Sequence, residues 1–108
     1  MSGSSDDRRQ HPRIAHPFDA FRLGVVDTPL TLYDLSLGGC FINYFHDPPS
    51  VGRRFQIRID LGNGEPLTLQ VEVVFQNPGF GYAVRFLDLA DDARASLEQA
   101  LQRIADER

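Results

Sequence analysis

The feature that most constrains this chain is a strict alternation of apolar and polar side chains, repeated in three separate runs. RRFQIRIDL (residues 53–61) sets Phe55, Ile57, Ile59 and Leu61 on one side and Gln56, Arg58 and Asp60 on the other. LTLQVEVVF (67–75) does the same with Leu67, Leu69, Val71, Val73 and Phe75, and FGYAVRFL (80–87) with Phe80, Tyr82, Val84 and Phe86. A period of two over this length belongs to strands with one face in a core and the other toward water. LGNGEP (61–66) and QNPGFG (76–81) supply turn residues between the runs, because Gly and Asn tolerate positive φ.

Three further strands are predicted upstream, over Ala20–Val26, Pro29–Asp34 and Gly39–Phe45. The final segment changes period. In LADDARASLEQALQRIADER, Ala93, Leu97, Leu101 and Ile104 recur at helical spacing, and Asp91 and Asp92 suit the positive end of a helix dipole, which predicts a helix over about 91–106. Six short strands and one C-terminal helix in 108 residues give the expected fold class. It is all-β: a six-stranded antiparallel barrel that closes on itself, so that no edge strand stays open, with the helix over one opening or face. The expected division is a flexible N-terminal arm over 1–17 and a barrel with its helix over 18–108. Pro12 and Pro17 discourage a helix through the arm.

Composition narrows the function classes. The net charge of −4 and the absence of Lys argue against a partner of long nucleic acid, and against a small barrel that binds RNA or single-stranded DNA. No apolar run approaches the ~18 residues of a membrane span, so no membrane insertion is expected. A lone cysteine, Cys40, fits a reducing, cytoplasmic setting and reads as a small core residue.

Little in the chain argues for bond-making chemistry, and no enzyme is expected. Asp34, Ser36 and His46 include the residue types of a triad, but no G-x-S-x-G elbow accompanies them. His11, His16 and His46 show no metal-ligand spacing among themselves or with Cys40, so neither metal nor cofactor is expected. His46, in HDPP, reads as a turn residue. Arg53, Arg54, Arg58 and Arg85 read as solvent-facing, with Arg85 able to reach a ligand face, and Phe75 and Tyr82 take the phase of barrel core.

Two short stretches carry more. DDRRQHPR (6–13) holds Arg8, Arg9 and Arg13 ahead of the first strand, and Asp34-x-Ser36-x-x-Gly39 follows the second. Taken alone, the latter is a turn in which Asp and Ser side chains bond nearby N–H groups and Gly38 and Gly39 supply unusual dihedrals. Joined in this order, Arg9-x-x-x-Arg13 and Asp34-x-Ser36-x-x-Gly39, on a strand-rich chain with a trailing helix, resemble the PilZ domain family of cyclic di-GMP receptors. GYAVRF (81–86) also looks like that family's last barrel strand.

The resemblance implies a ligand and its contacts. Arg9 and Arg13 would bond to or stack on guanine and phosphate, as a planar forked cation can. Asp34 would accept hydrogen bonds from the guanine Watson–Crick edge, Ser36 would add a hydroxyl bond, and Gly39 would let the backbone approach. Arg8, extending the pair, looks like a marker for two stacked ligand molecules. The implied function is a stand-alone bacterial adaptor that orders its arginine arm on cyclic di-GMP and signals through a protein partner. The alternative is an interaction module of the same fold that does not depend on nucleotide.

Overall fold

A computed structural model describes residues 17–60 and 66–106. Six strands and one helix follow in order: β1 Phe18–Arg22, β2 Thr28–Tyr33, β3 Gly39–Asn43, β4 Arg54–Ile59, β5 Leu67–Asn77, β6 Gly81–Leu87 and α1 Asp91–Asp106. The strands close into an antiparallel barrel in the order β1-β2-β3-β6-β5-β4, with β4 pairing back onto β1. Closure satisfies both edges of the sheet, as the sequence pattern required.

The alternation places the core. Leu30 and Leu32, Cys40 and Ile42, Phe55, Ile57 and Ile59, Leu69, Val71 and Val73, and Tyr82 and Val84 all point inward and are buried. Helix α1 adds Leu97, Ala100, Leu101 and Ile104 to the same cluster. Their i, i+3, i+4, i+7 spacing is one face of a helix. Asp91 and Asp92 stand in its first turn and Arg103 in its last, each matching the local sign of the helix dipole. Among the described residues no helix is long and apolar enough to cross a membrane.

Several expectations shift. The first strand spans Phe18–Arg22 rather than Ala20–Val26, and Val25 and Val26 lie exposed in the connection to β2. The third ends at Asn43, leaving Phe45 exposed. Phe75 is not core: a bulge between Val73 and Phe75 inserts one residue into β5 against β6, reversing the phase, and Phe75 is 56% exposed. Phe80 belongs to the β5–β6 turn rather than to the strand and is also exposed. The turn expected over 61–66 lies mostly outside the described residues, as does Leu61.

Candidate functional site

The connection from β2 to β3 is built by alternation carried past the strand end. Leu35 and Leu37 are buried and pin the segment to the core, while Asp34 and Gly38 stay exposed and Ser36 is half-buried. The turn is closed by the Ser36 N–H donating to the Gly39 carbonyl (3.0 Å), and the Phe86 N–H donates to the Gly38 carbonyl (2.9 Å), tying it to β6. The Ser36 hydroxyl donates to the Gly39 carbonyl (3.3 Å) and accepts from the Gly38 N–H (3.3 Å). That local bonding matches the turn role expected of Ser36.

The dihedral expectation is corrected. The left-handed residue is Asp34, at φ 54°, and neither Gly38 nor Gly39 has positive φ. Gly39 is required for space instead. A Cβ there would collide with the Val84 carbonyl oxygen and stand 3.0 Å from Cα of Arg85. Strands β3 and β6 therefore run closer at this point than any side chain permits.

Asp34, Ser36 and Gly39 line one cleft of about 290 Å³, together with Cys40, Phe41, Ala83 and Val84. Three of the six residues singled out in the sequence thus converge. Arg8, Arg9 and Arg13 lie outside the described residues, as do His11 and His16. Strand register nonetheless locates where their segment joins the barrel. Phe18 pairs with Leu32, so the chain enters β1 alongside the end of β2, next to Tyr33 and Asp34.

The described lining contains one carboxylate and no cation. The nearest row of charge runs across the outer face: Gly39 pairs with Arg85, Arg85 with Glu72, and Glu72 with Arg54. Arg85 donates Nε (3.0 Å) and Nη2 (2.6 Å) to Glu72 Oε1, which Arg54 approaches at 3.9 Å. Both arginines are solvent-facing as expected, whereas Arg58 is half-buried, pairing with Asp27 at 3.4 Å and lying over the Phe21 ring. Burial pushes the Cys40 thiol up to about 12, so at neutral pH it is protonated and lacks the thiolate a nucleophile needs. His46 sits in the β3–β4 connection, edge-on to Tyr44 at 5.5 Å between ring centroids. Among the described residues no three His, Cys, Asp or Glu side chains cluster as a metal site would require.

Sequence reasoning missed Phe41, Ala83 and Val84 as lining residues. The presence of Ala83 and Val84 follows from β3 pairing with β6, a long-range choice that no local pattern reports, whereas Phe41 stands two residues after Gly39 on β3 itself.

The PilZ domain pattern matches residues 7–103. No curated protein sequence matches this chain. Among solved structures, the Bacillus subtilis inhibitor of motility (MotI/DgrA) superposes with a TM-score of 0.74 at 18% identity, covering 94% of this chain and 53% of that one. The PilZ domain of Escherichia coli YcgR with c-di-GMP gives 0.68 at 22% identity, over 93% of this chain and 95% of that one. YcgR from Escherichia coli in complex with c-di-GMP gives 0.69 at 24%, over 93% and 48%. This chain thus spans about half the length of MotI/DgrA and of that YcgR chain. With the PilZ pattern running over nearly the whole sequence, on a barrel of the same shape, the chain belongs to the PilZ domain family.

Proposed function

We propose that this chain is a receptor for cyclic di-GMP that passes ligand occupancy to a partner protein. The observation that carries the proposal is the convergence of Asp34, Ser36 and Gly39 on one cleft, beside the point where the arginine segment joins β1. That the PilZ domain of YcgR has a structure with c-di-GMP supports the choice of ligand.

The chemistry of the cleft fits half of the ligand. The Asp34 carboxylate offers two acceptors, and the guanine edge offers the N1–H and N2–H₂ donors to meet them. The two phosphates need cations, which the described lining does not supply. Arg9 and Arg13 do: Arg13 is five residues before Phe18, within roughly 17 Å of fully extended chain, and Arg9 within roughly 32 Å. Their forked guanidinium groups take phosphate oxygens or guanine O6 and N7 bidentately. Arg8 adds another planar cation and sets the stoichiometry at two ligands. Each charge-assisted contact is worth roughly 1.5–3 kcal/mol, which offsets about 1–2 kcal/mol per residue fixed against the cleft. The surface so formed is what a partner reads.

Calorimetric titration tests the proposal. The expected result is saturable binding at a molar ratio of two, with Arg9→Ala and Arg13→Ala each weakening it about tenfold or more while the thermal unfolding of the barrel is unchanged. Absence of both heat and NMR shifts at tens of micromolar ligand, about −6 kcal/mol, would sink it.

A further inference from the structure

At the end of the barrel away from the cleft, three connections meet: 23–27 between β1 and β2, 44–53 between β3 and β4, and 78–80 between β5 and β6. The Tyr44 N–H donates to the Phe80 carbonyl (2.9 Å), which joins the second connection to the third. The Leu23 N–H donates to the Gln56 carbonyl (2.9 Å), which ties the first to β4. Among the described residues the five most exposed large apolar side chains are Val25, Val26, Phe45, Val51 and Phe80, each at least 61% exposed. All five stand in these connections. Inside this rim lies one cation. Arg22 ends β1, is half-buried, and takes the inward phase of Phe18 and Ala20. Its guanidinium lies over the Phe55 ring, 4.3 Å from the centroid. Phe55 is edge-on to Tyr82 (6.4 Å) and Tyr82 to Tyr44 (5.9 Å), so rings floor the mouth. Among the described residues no carboxylate pairs with Arg22. The other charges of the connections offset one another: Asp27 pairs with Arg58, and Asp47 and Arg53 are equal and opposite.

We propose that this mouth is a docking surface for a partner protein that presents an aspartate or glutamate among large apolar side chains. The carboxylate meets Arg22, and the apolar groups cover Phe45 and Phe80. An apolar rim this exposed marks an interaction surface. A half-buried cation without an anion leaves an ion pair for the partner to complete. Charge also selects among occupants. A second copy docked mouth to mouth about a two-fold axis would set Arg22 against Arg22, which opposes self-association. A lipid surface is flat and is held by several exposed cations. Here the cation is single, set inside the rim, and carried on a chain of net charge −4. A projecting carboxylate reaches it. Asn43 pairs with Gly81 at this end of β3 and β6, whereas Gly39 of the cleft pairs with Arg85 at the other, so the inference does not rest on the cyclic di-GMP reading.

The test uses the full chain as bait for a displayed library of random peptides. Enriched sequences are expected to carry Asp or Glu beside large apolar residues. A synthetic peptide of the enriched sequence should bind, and Arg22→Gln and Phe80→Ser should each weaken it about tenfold or more. Phe75→Ser, at an exposed position on the barrel wall, should leave it unchanged. Replacing the peptide's acid with its amide should cost the wild-type chain as much as Arg22→Gln does, and the Arg22→Gln chain little more. A merely structural role for Arg22 would not produce that coupling, and thermal unfolding of each variant is followed alongside. Absence of enrichment, enrichment of peptides without an acid, or binding indifferent to both substitutions overturns the proposal. So does self-association in sedimentation, or capture by vesicles of phosphatidylcholine and phosphatidylserine, when Phe80→Ser abolishes it, because the rim then belongs to a second copy or to a membrane.

Discussion

Two turns launch the neighbouring strands β3 and β6, and they handle strain in opposite ways. In the turn before β6, glycine stands wherever the backbone is unusual. Gly79 has φ +87° in open space, and Gly81 has no room for a Cβ, which would strike the Ile42 carbonyl oxygen and stand 2.7 Å from the Phe41 ring. In the turn before β3, Gly39 likewise fills the place without room, but the left-handed residue is Asp34. Left-handed backbone costs a residue with a Cβ roughly 1–2 kcal/mol, less for Asp than for most. Glycine at position 34 would remove that cost. A carboxylate kept there, exposed and without a side-chain hydrogen bond among the described residues, indicates that the turn is shaped for more than stability.

The largest effect expected from this comparison is at Gly39. The atoms that its Cβ would meet are backbone, not the mobile end of a side chain, so β3 and β6 have to part. Gly39→Ala is expected to cost about 3 kcal/mol or more. For a domain of this size that lowers Tm by more than ~10 °C. A loss under ~2 °C would mean that the two strands can separate locally at no cost, and that Gly39 is not a close-packing residue.

The next effect compares the strands themselves. Each turn is followed at once by an inward residue with an ionisable group, Cys40 in β3 and Tyr82 in β6. Burial pushes both up to about 12, and in Tyr82 the Arg22 charge partly opposes that rise. Both groups are neutral in the fold, while the unfolded chain loses their protons from about pH 9 or 10 upward. The unfolded state therefore binds fewer protons, so stability falls as pH rises between about 9 and 12. At pH 11 the loss is on the order of 2–3 kcal/mol from Cys40 and half that from Tyr82, at about 1.4 kcal/mol per pH unit for each. Urea unfolding of the wild-type protein, Cys40→Ala and Tyr82→Phe across this range checks it. The slope is expected to flatten more in Cys40→Ala than in Tyr82→Phe, and a flat wild-type profile contradicts the burial of both groups.

The same strands show what a sequence can and cannot report. Alternation is a local consequence of backbone geometry, so the inward set Phe55, Ile57, Ile59, Leu69, Val71, Val73 and Val84 was legible without any structure. A bulge costs one residue and leaves no periodic trace, which is why Phe75 read as core and is exposed. Asp34, Ser36 and Gly39 read on their own as an ordinary turn, and stood out as a unit only through the family resemblance that joins them to Arg9 and Arg13. Ala83 and Val84 were not legible as lining residues, because they reach the cleft through pairing between strands about forty residues apart. At Gly39 the turn reading expected an unusual dihedral, and the resemblance expected close backbone approach to a ligand. The φ is not positive, and the room a Cβ would need is taken by β6. Sequence does not report that difference, because a missing Cβ looks the same whether φ or space demands it.

The smallest expected change in stability is at Asp34, and it separates shape from chemistry most cleanly. Asparagine tolerates left-handed backbone as well as aspartate does, and the carboxylate makes no bond among the described residues that the substitution would break. Asp34→Asn should therefore leave the unfolding free energy within ~0.5 kcal/mol. If the residue only shapes the turn, ligand binding is equally unaffected. If its carboxylate holds the guanine edge, one of two acceptors becomes an N–H₂ group pointed at another donor, and affinity drops about 10- to 100-fold. A ligand variant makes the distinction sharper. The inosine analogue of the dinucleotide lacks the N2 amino group but keeps N1–H, which the remaining amide oxygen still accepts. The penalty for Asp34→Asn should shrink with that analogue, whereas a general disturbance of the cleft would weaken both ligands alike.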